Sequence, residues 1–432
     1  MIEHLLTNLQ VHGVYTAVVL LIAVGLILMW RWRWRDYRLL RRLAVMPLDP
    51  PAEAEEVKEE VVFESLKAPR PKVSLVLLSC NQVEELKANI PVFFMQTLKE
   101  MEIIVVDMGS TDETPALLEY LAANNPRLRY TLIPPEADNE NRRQLAITLG
   151  VRAAKADWVV VTDVDCEPQN AEWLETLASA FRDDRTFVLG YFNFNDEDDS
   201  ITRSAIYERL RMQAMRYRSA VGTGRRDSNG VVSFKGRAIG GNTRNMAINK
   251  RRFLEAGGFT HCPTLFGSEN NLLVDSLATP GSTAVVARPE ACVRVSIPLL
   301  QIMKAEGIRH QRALRHLSRR GQKFRLRESA ASWTLWILII IIAAYATVRT
   351  MSYIDSGLTL DRLQYVHYDL LVFLLTLTVV FLPGRALRRA TKALGERSFN
   401  WLWVFFRQLF QPFITVQRKF VTYRALRRSW RR

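Results

Sequence analysis

Two aspartates that bracket a single residue, Asp163-Val164-Asp165, form the group in this sequence best suited to chemistry. They follow the apolar run Trp158-Val159-Val160-Val161, which reads as a buried strand ending at Thr162-Asp163. Paired carboxylates in that position suit a hard divalent cation. Mg2+ or Mn2+ takes one or two carboxylates and fills its remaining positions with water and phosphate oxygens. An isolated pair of this kind is usually no more than an acidic loop. Two further polar groups change the weighting here. Ser79-Cys80-Asn81 closes the apolar run at 73–78, and Asp107 closes the run at 102–106.

The elements that must carry these groups alternate along the chain. A helix is predicted over 84–96, and another from Ser110, where Ser110 and Glu113 have capping-box spacing and Pro115 suits the first turn. A strand is predicted over 128–133. A helix follows over 142–154, with Leu145, Leu149 and Ala153 on one face. Strands alternating with helices imply an α/β domain, with a mostly parallel sheet covered on both faces. Ligands of such sheets sit beyond the carboxyl ends of the strands, where all three polar groups fall.

Composition bounds the rest. At 432 residues the chain has room for two or three domains, and 48% apolar residues exclude disorder over most of it. No pair among Cys80, Cys166, Cys262 and Cys292 has C-x-x-C spacing. A zinc site or disulfide framework is therefore not expected, and the usage fits a reducing compartment. The net charge of +15 is concentrated in three blocks: 31–42, 304–327 and 385–432. The blocks together exceed that net charge, so the remainder is acidic.

Beside the blocks lie runs without charged residues: 20 residues at 11–30, 20 at 329–348 and 14 at 370–383. They are read as three transmembrane helices. A cleaved signal peptide is disfavoured, because the basic cluster follows the first run and no small-residue cleavage site is present. The positive-inside rule then puts residues 31–328 in the cytosol and the N-terminus outside. The expected organisation is an anchor at 1–30, a basic segment and acidic linker at 31–70, and the cytosolic domain at 71–328. Two spans at 329–384 and a basic, aromatic, interfacial tail at 385–432 complete it. The basic blocks are assigned to anionic membrane lipids, not to nucleic acid.

The motifs, taken together, resemble the family 2 glycosyltransferases of the GT-A type over about 250 residues, in the family's order. Val105-Val106-Asp107-Met108-Gly109-Ser110-Thr111-Asp112 is similar to the nucleotide-binding segment. Arg143-Gln144-Leu145-Ala146 with Gly150 resembles the segment that follows it, and Asp163-Val164-Asp165 the metal-binding pair. Gly240-Gly241-Asn242-Thr243-Arg244-Asn245-Met246-Ala247 with Gly257-Gly258-Phe259 resembles the acceptor-side block. The resemblance implies an inverting transferase of the bacterial cytoplasmic membrane, its catalytic domain cytosolic, that takes a sugar from a nucleotide-diphosphate donor, UDP-linked by the family's habit. It places Ser79, Asn81, Asp107, Arg143, Asp163, Asn245, Arg309 and His310 on the substrates. Asp163 and Asp165 would hold Mg2+ or Mn2+, and Glu269 would be the catalytic base. The membrane segments point to a lipid-linked saccharide or glycolipid as acceptor.

Several positions depart from the family pattern. Met108 stands where the family has a second Asp, and Arg143 where it has Lys. Gly267-Ser268-Glu269-Asn270-Asn271-Leu272 replaces G-E-D-x-D-L, so that Glu269 takes the place of the basic Asp. Glu306-Gly307-Ile308-Arg309-His310 replaces the family's Q-K-x-R-H. A processive polysaccharide synthase and a non-catalytic membrane scaffold that kept the fold are the rival readings.

Overall fold

A computed structural model describes residues 2–29, 35–47, 71–134, 142–194, 200–262, 269–295, 316–356 and 366–429. The chain forms two compact units. One comprises Leu39–Gln322 together with Ala393–Glu396, the other Met1–Arg38, Lys323–Lys392 and Arg397–Arg432.

Helices α1 (Ile2–Met29) and α2 (Arg35–Ala44) precede the first strand. There follow β1 (Val73–Ser79), α3 (Val83–Phe94), β2 (Met101–Asp107), α4 (Thr114–Asn124), β3 (Leu128–Leu132), α5 (Arg142–Ala153) and β4 (Trp158–Asp163). The chain continues through β5 (Cys166–Pro168), α6 (Trp173–Ala178), β6 (Phe187–Phe194), α7 (Ser200–Val221), β7 (Met246–Asn249), α8 (Lys250–Glu255) and α9 (Glu269–Leu277). Strands β8 (Thr283–Val286) and β9 (Cys292–Val295) complete the sheet. Its order is β3-β2-β1-β4-β7-β6, with β8 and β9 both beside β6 and β5 on β9. Strands β3, β2, β1 and β4 are mutually parallel, whereas β7 runs antiparallel to both β4 and β6. The sheet is thus mixed, with the predicted parallel part at its centre.

Every residue of β1 is buried, because helices cover both of its faces. Leu75 and Leu77 join Leu86, Ile90 and Phe93 of α3 and Trp173, Leu174 and Leu177 of α6 in one apolar core. On the other face α5 crosses Val76 at Gly150, where a Cβ would lie 2.4 Å from Val76 Cγ1. The face of α5 that packs is therefore Ala146, Ile147, Gly150 and Val151, and Leu145 is exposed. This corrects the predicted face: close approach to a strand selects small residues, which a stripe of leucines does not mark.

At the far end of the sheet from the aspartates, Glu102 of β2 collects donors from three elements. It accepts from Ser74 Oγ (2.6 Å), from Arg129 Nη2 (2.6 Å) and from the backbone N–H of Lys155 (2.6 Å). Burial opposes its charge, but these bonds prevail and hold its carboxyl below the usual range. A second buried ion pair joins Arg209 of α7 to Glu396, with side-chain exposures of 3% and 5%. Glu396 also accepts from the Tyr191 hydroxyl, and Arg209 donates to the Phe192 carbonyl (2.6 Å). Arg209, Gln213 and Tyr217, spaced at i, i+4 and i+8, all hydrogen-bond β6. This stripe of α7 therefore packs against the sheet.

The second unit corrects the membrane reading. Among the described residues no helix is long and apolar enough to cross a membrane. The three expected transmembrane helices, and with them the membrane localisation and the inside–outside orientation, are overturned. The apolar runs belong to α1 and to the helices Arg319–Ser356 and Val366–Ala393. Within this unit Val19, Ile22, Leu335, Leu338, Tyr345 and Val372 form one core, with Phe405 and Leu409 of the helix Trp401–Ser429 packed against it. An apolar run of 14–20 residues can be a helix packed on other helices as readily as a span.

Two stability measurements follow. Glu102→Gln should cost about 1–3 kcal/mol, as buried donors lose a charged acceptor. Because folding lowers the pKa of Glu102, its stabilisation is present above the unfolded pKa and is lost as pH falls through the folded one. Urea midpoints should therefore fall less steeply with acidification in the variant than in the wild type; parallel curves would contradict the assignment. Glu396→Ala strands a buried guanidinium and should cost about 3–5 kcal/mol, whereas the pair Arg209→Met with Glu396→Leu should recover most of the loss.

Candidate active site

The register of three parallel strands builds the site. Ser79 of β1 lies opposite Asp107 of β2, and Leu78 lies opposite Asp163 of β4. The strand-end groups expected to act together are thus neighbours at the carboxyl edge of the sheet.

On the β1–β2 side the loops are tied to each other. Asn81 adopts the left-handed conformation (φ 52°), which a short amide side chain tolerates better than most. Its Oδ1 accepts from the Thr111 N–H (2.7 Å), and its own N–H donates to Ser110 Oγ (2.8 Å). Asp107 accepts from the Ser110 N–H (3.0 Å) and from the Ser110 hydroxyl. Ser110 is therefore bound to the strand end and does not cap a helix; α4 begins at Thr114, three residues later than the capping-box spacing predicts. Asp112 accepts from the Val83 N–H (3.3 Å) and the Thr114 N–H (3.0 Å). The hydroxyl oxygen of Ser79 is buried and finds no hydrogen-bond partner among the described residues, which leaves a polar atom at this edge for a ligand.

On the β4 side, Asp163, Asp165 and Cys166 present one donor atom each within 4.8 Å of one another. Burial and the neighbouring Asp163 charge raise the pKa of Asp165. That is the expected state of two carboxylates confined together, and a cation between them would relieve it. Their oxygens fit a hard divalent ion. The Cys166 thiol is a soft donor that suits such an ion poorly, and burial and the charges of Asp165 and Asp163 push its pKa well up.

Arg143, on α5, answers part of the negative charge. Its Nη2 donates to both oxygens of Asp163 (2.6 and 2.9 Å) and to Thr243 Oγ1 (2.7 Å). Thr243 Oγ1 also accepts from Asn270 Nδ2 (2.7 Å) on the first turn of α9. Gly240 permits this approach of α9, since a Cβ there would meet Asn271 Oδ1 at 2.5 Å. Through Thr243 the block at 240–247 and α9 are joined to Asp163. Glu269 opens α9 directly before Asn270, and its side chain lies outside the described residues. Arg309 and His310 also lie outside them.

Asn245 has a different environment from the one its motif suggests. Its Oδ1 accepts from Trp173 Nε1 (3.2 Å), and its Nδ2 donates to the Tyr191 and Ala291 carbonyls (2.7 and 2.8 Å). Fully buried and fully hydrogen-bonded, it braces β6 and the turn before β9. Two groups at the site had no role in the sequence reading: Asn270, whose buried Oδ1 has no partner among the described residues, and Arg244, whose guanidinium stacks over Phe192 at 5.6 Å. Both lie in segments whose similarity to the family was legible, but their contacts are made across the sheet.

Comparison with known proteins accords with this geometry. Residues 74–251 match the profile of glycosyl transferase family 2. Glycosyltransferase GlyG of Streptococcus pneumoniae serotype 4 (strain ATCC BAA-334 / TIGR4) is 28% identical over 105 residues, 24% of this chain. The match spans about a third (33%) of that curated relative. The mannosyltransferase PcManGT from Pyrobaculum calidifontis, solved in complex with GDP-Man and Mn2+, aligns at a TM-score of 0.49 with 16% identity, over 84% of this chain and 98% of its own. Residues 74–251, which carry the strand-end aspartates and the start of the acceptor-side block, are therefore similar to glycosyl transferase family 2.

Proposed function

We infer that the protein is an inverting glycosyltransferase with a GT-A-type site, moving a sugar from a nucleotide-diphosphate donor, most simply a UDP-sugar, to an acceptor hydroxyl. The observation that carries this reading is the pair Asp163–Asp165 at the sheet edge, beside the stapled β1–β2 loops. Ser79, Asn81 and Asp107 are assigned to the nucleoside. Asp163 and Asp165 would hold Mg2+ or Mn2+, which when bound neutralises the departing diphosphate. Arg143 keeps Asp163 in one orientation, and Thr243 passes that order on to α9. Glu269, at the start of α9, is assigned the acceptor proton.

The assigned acceptor is a lipid-linked saccharide or a glycolipid. Exposed Leu370, Phe373, Leu374 and Leu377 on one helix support it as a surface that would suit an acyl or polyprenyl chain.

The reading is tested by incubating the protein with Mn2+, a panel of UDP- and GDP-sugars and a glycolipid extract, and measuring released nucleotide. Asp165→Asn or a chelator should nearly abolish release, while Glu119→Gln, exposed on α4, should leave it unchanged. No release with any donor, or release indifferent to chelator, would contradict the proposal. Glu269→Gln should lower kcat by about 10²–10⁴-fold with donor binding little changed. Asn270→Asp should not rescue it; rescue would move the base to position 270.

A further inference from the structure

Among the described residues, the guanidinium of Arg244, near the two aspartates, makes no hydrogen bond and no ion pair. The backbone of Arg244 is fixed on both sides: its N–H donates to Asn242 Oδ1 (2.9 Å) and its carbonyl accepts from Thr162 Oγ1 (2.8 Å), one residue before Asp163. The next residue, Asn245, is locked by three hydrogen bonds. The side chain then lies over the Phe192 ring, 5.6 Å from its centroid. Arg209 approaches the same ring at 5.7 Å, but Glu396 answers its charge.

The charges at the site suggest what Arg244 is for. Arg143 is bonded to Asp163. The Arg244 charge reaches Asp165 from a distance. Two carboxylates and two guanidinium groups cancel. A divalent cation seated on the aspartates would leave a double positive charge, which a diphosphate matches. A guanidinium fork held in place on an aromatic face, with its donors unclaimed, is arranged to receive two phosphate oxygens. The ordering of its stem is already paid by the fold.

We propose that Arg244 binds the diphosphate of the donor and stabilises it as the leaving group, which makes it a residue selective for diphosphates over monophosphates. The inference rests on the transferase reading above. In the transfer, the acceptor oxygen bonds to the anomeric carbon as its proton passes to the base. The bond from that carbon to the β-phosphate oxygen breaks, and the electron pair stays on that oxygen. Arg244 offers its N–H groups to the phosphate that gains this charge.

The experiment is calorimetric titration of the full chain, in Mn2+, with UDP, GDP, UMP and GMP. Arg244→Gln keeps a polar stem on Phe192 and removes the charge. It should weaken the better-bound diphosphate by about 10–100-fold and change the matching monophosphate by less than about threefold. Arg244→Lys, which keeps charge without the fork, should fall between it and the wild type, and it carries the test if the Gln variant does not fold. Equal losses on mono- and diphosphates, or undiminished diphosphate binding in both variants, would overturn the proposal and leave the transferase reading standing. A wild-type protein that binds none of the four nucleotides would overturn both.

Discussion

The chemistry depends on β1 lying between two parallel partners. Parallel pairing with β2 and β4 fixes which residues reach the sheet edge together, and a slip of one residue would turn every side chain to the other face. The register places Ser79 beside Asp107 and Leu78 beside Asp163. Burial on both faces enforces it: Val73, Leu75 and Leu77 lie in the core shared with α3 and α6, and Val76 packs against α5 at Gly150. At the opposite end the Glu102 network ties β1, β2, β3 and the turn before β4 by charge-assisted hydrogen bonds. The catalytic edge is therefore held from its far side, by groups that never meet a ligand.

On this frame the site is a balance of fixed charges. Burial and the Asp163 charge raise the cost of ionising Asp165, and the protein answers Asp163 directly with Arg143. The same arginine bonds Thr243, so the charge that steadies Asp163 also positions the block at 240–247. Asn270 extends this line onto α9, the helix that Glu269 opens. Asp163, Thr243 and α9 thus share one hydrogen-bonded path, with Arg244 stacked on Phe192 beside it. Preorganised groups of this kind act where charge develops without having to rearrange.

Much of this was legible in the sequence, for physical reasons. Strands β1, β2 and β4 are buried on both faces, so they read as continuous apolar runs, and the polar residue that ends each run marks the edge. What failed to show was set by long-range contacts. The capping-box spacing at Ser110 is real, but its hydroxyl is drawn to Asp107 instead. Asn245 carries a motif, yet its partners are Trp173, Tyr191 and Ala291, which no local pattern links to it. The pairing of Arg209 with Glu396 joins residues 187 positions apart. The apolar runs near the two ends had the length of membrane spans, and length alone does not separate a span from a helix that packs on other helices.

The central claim is that Asp163 and Asp165 form a cation site that also takes a nucleotide diphosphate. Electron paramagnetic resonance of Mn2+ added to the protein with UDP or GDP tests it most directly, because phosphorus nuclei bound to the metal leave a hyperfine coupling in the spectrum. Bound Mn2+ with phosphorus coupling in the wild type, and loss of that signal in Asp165→Asn, is the result the structure predicts. Mn2+ bound as tightly in Asp165→Asn, or bound in the wild type without coupling to phosphorus from either nucleotide, would contradict it.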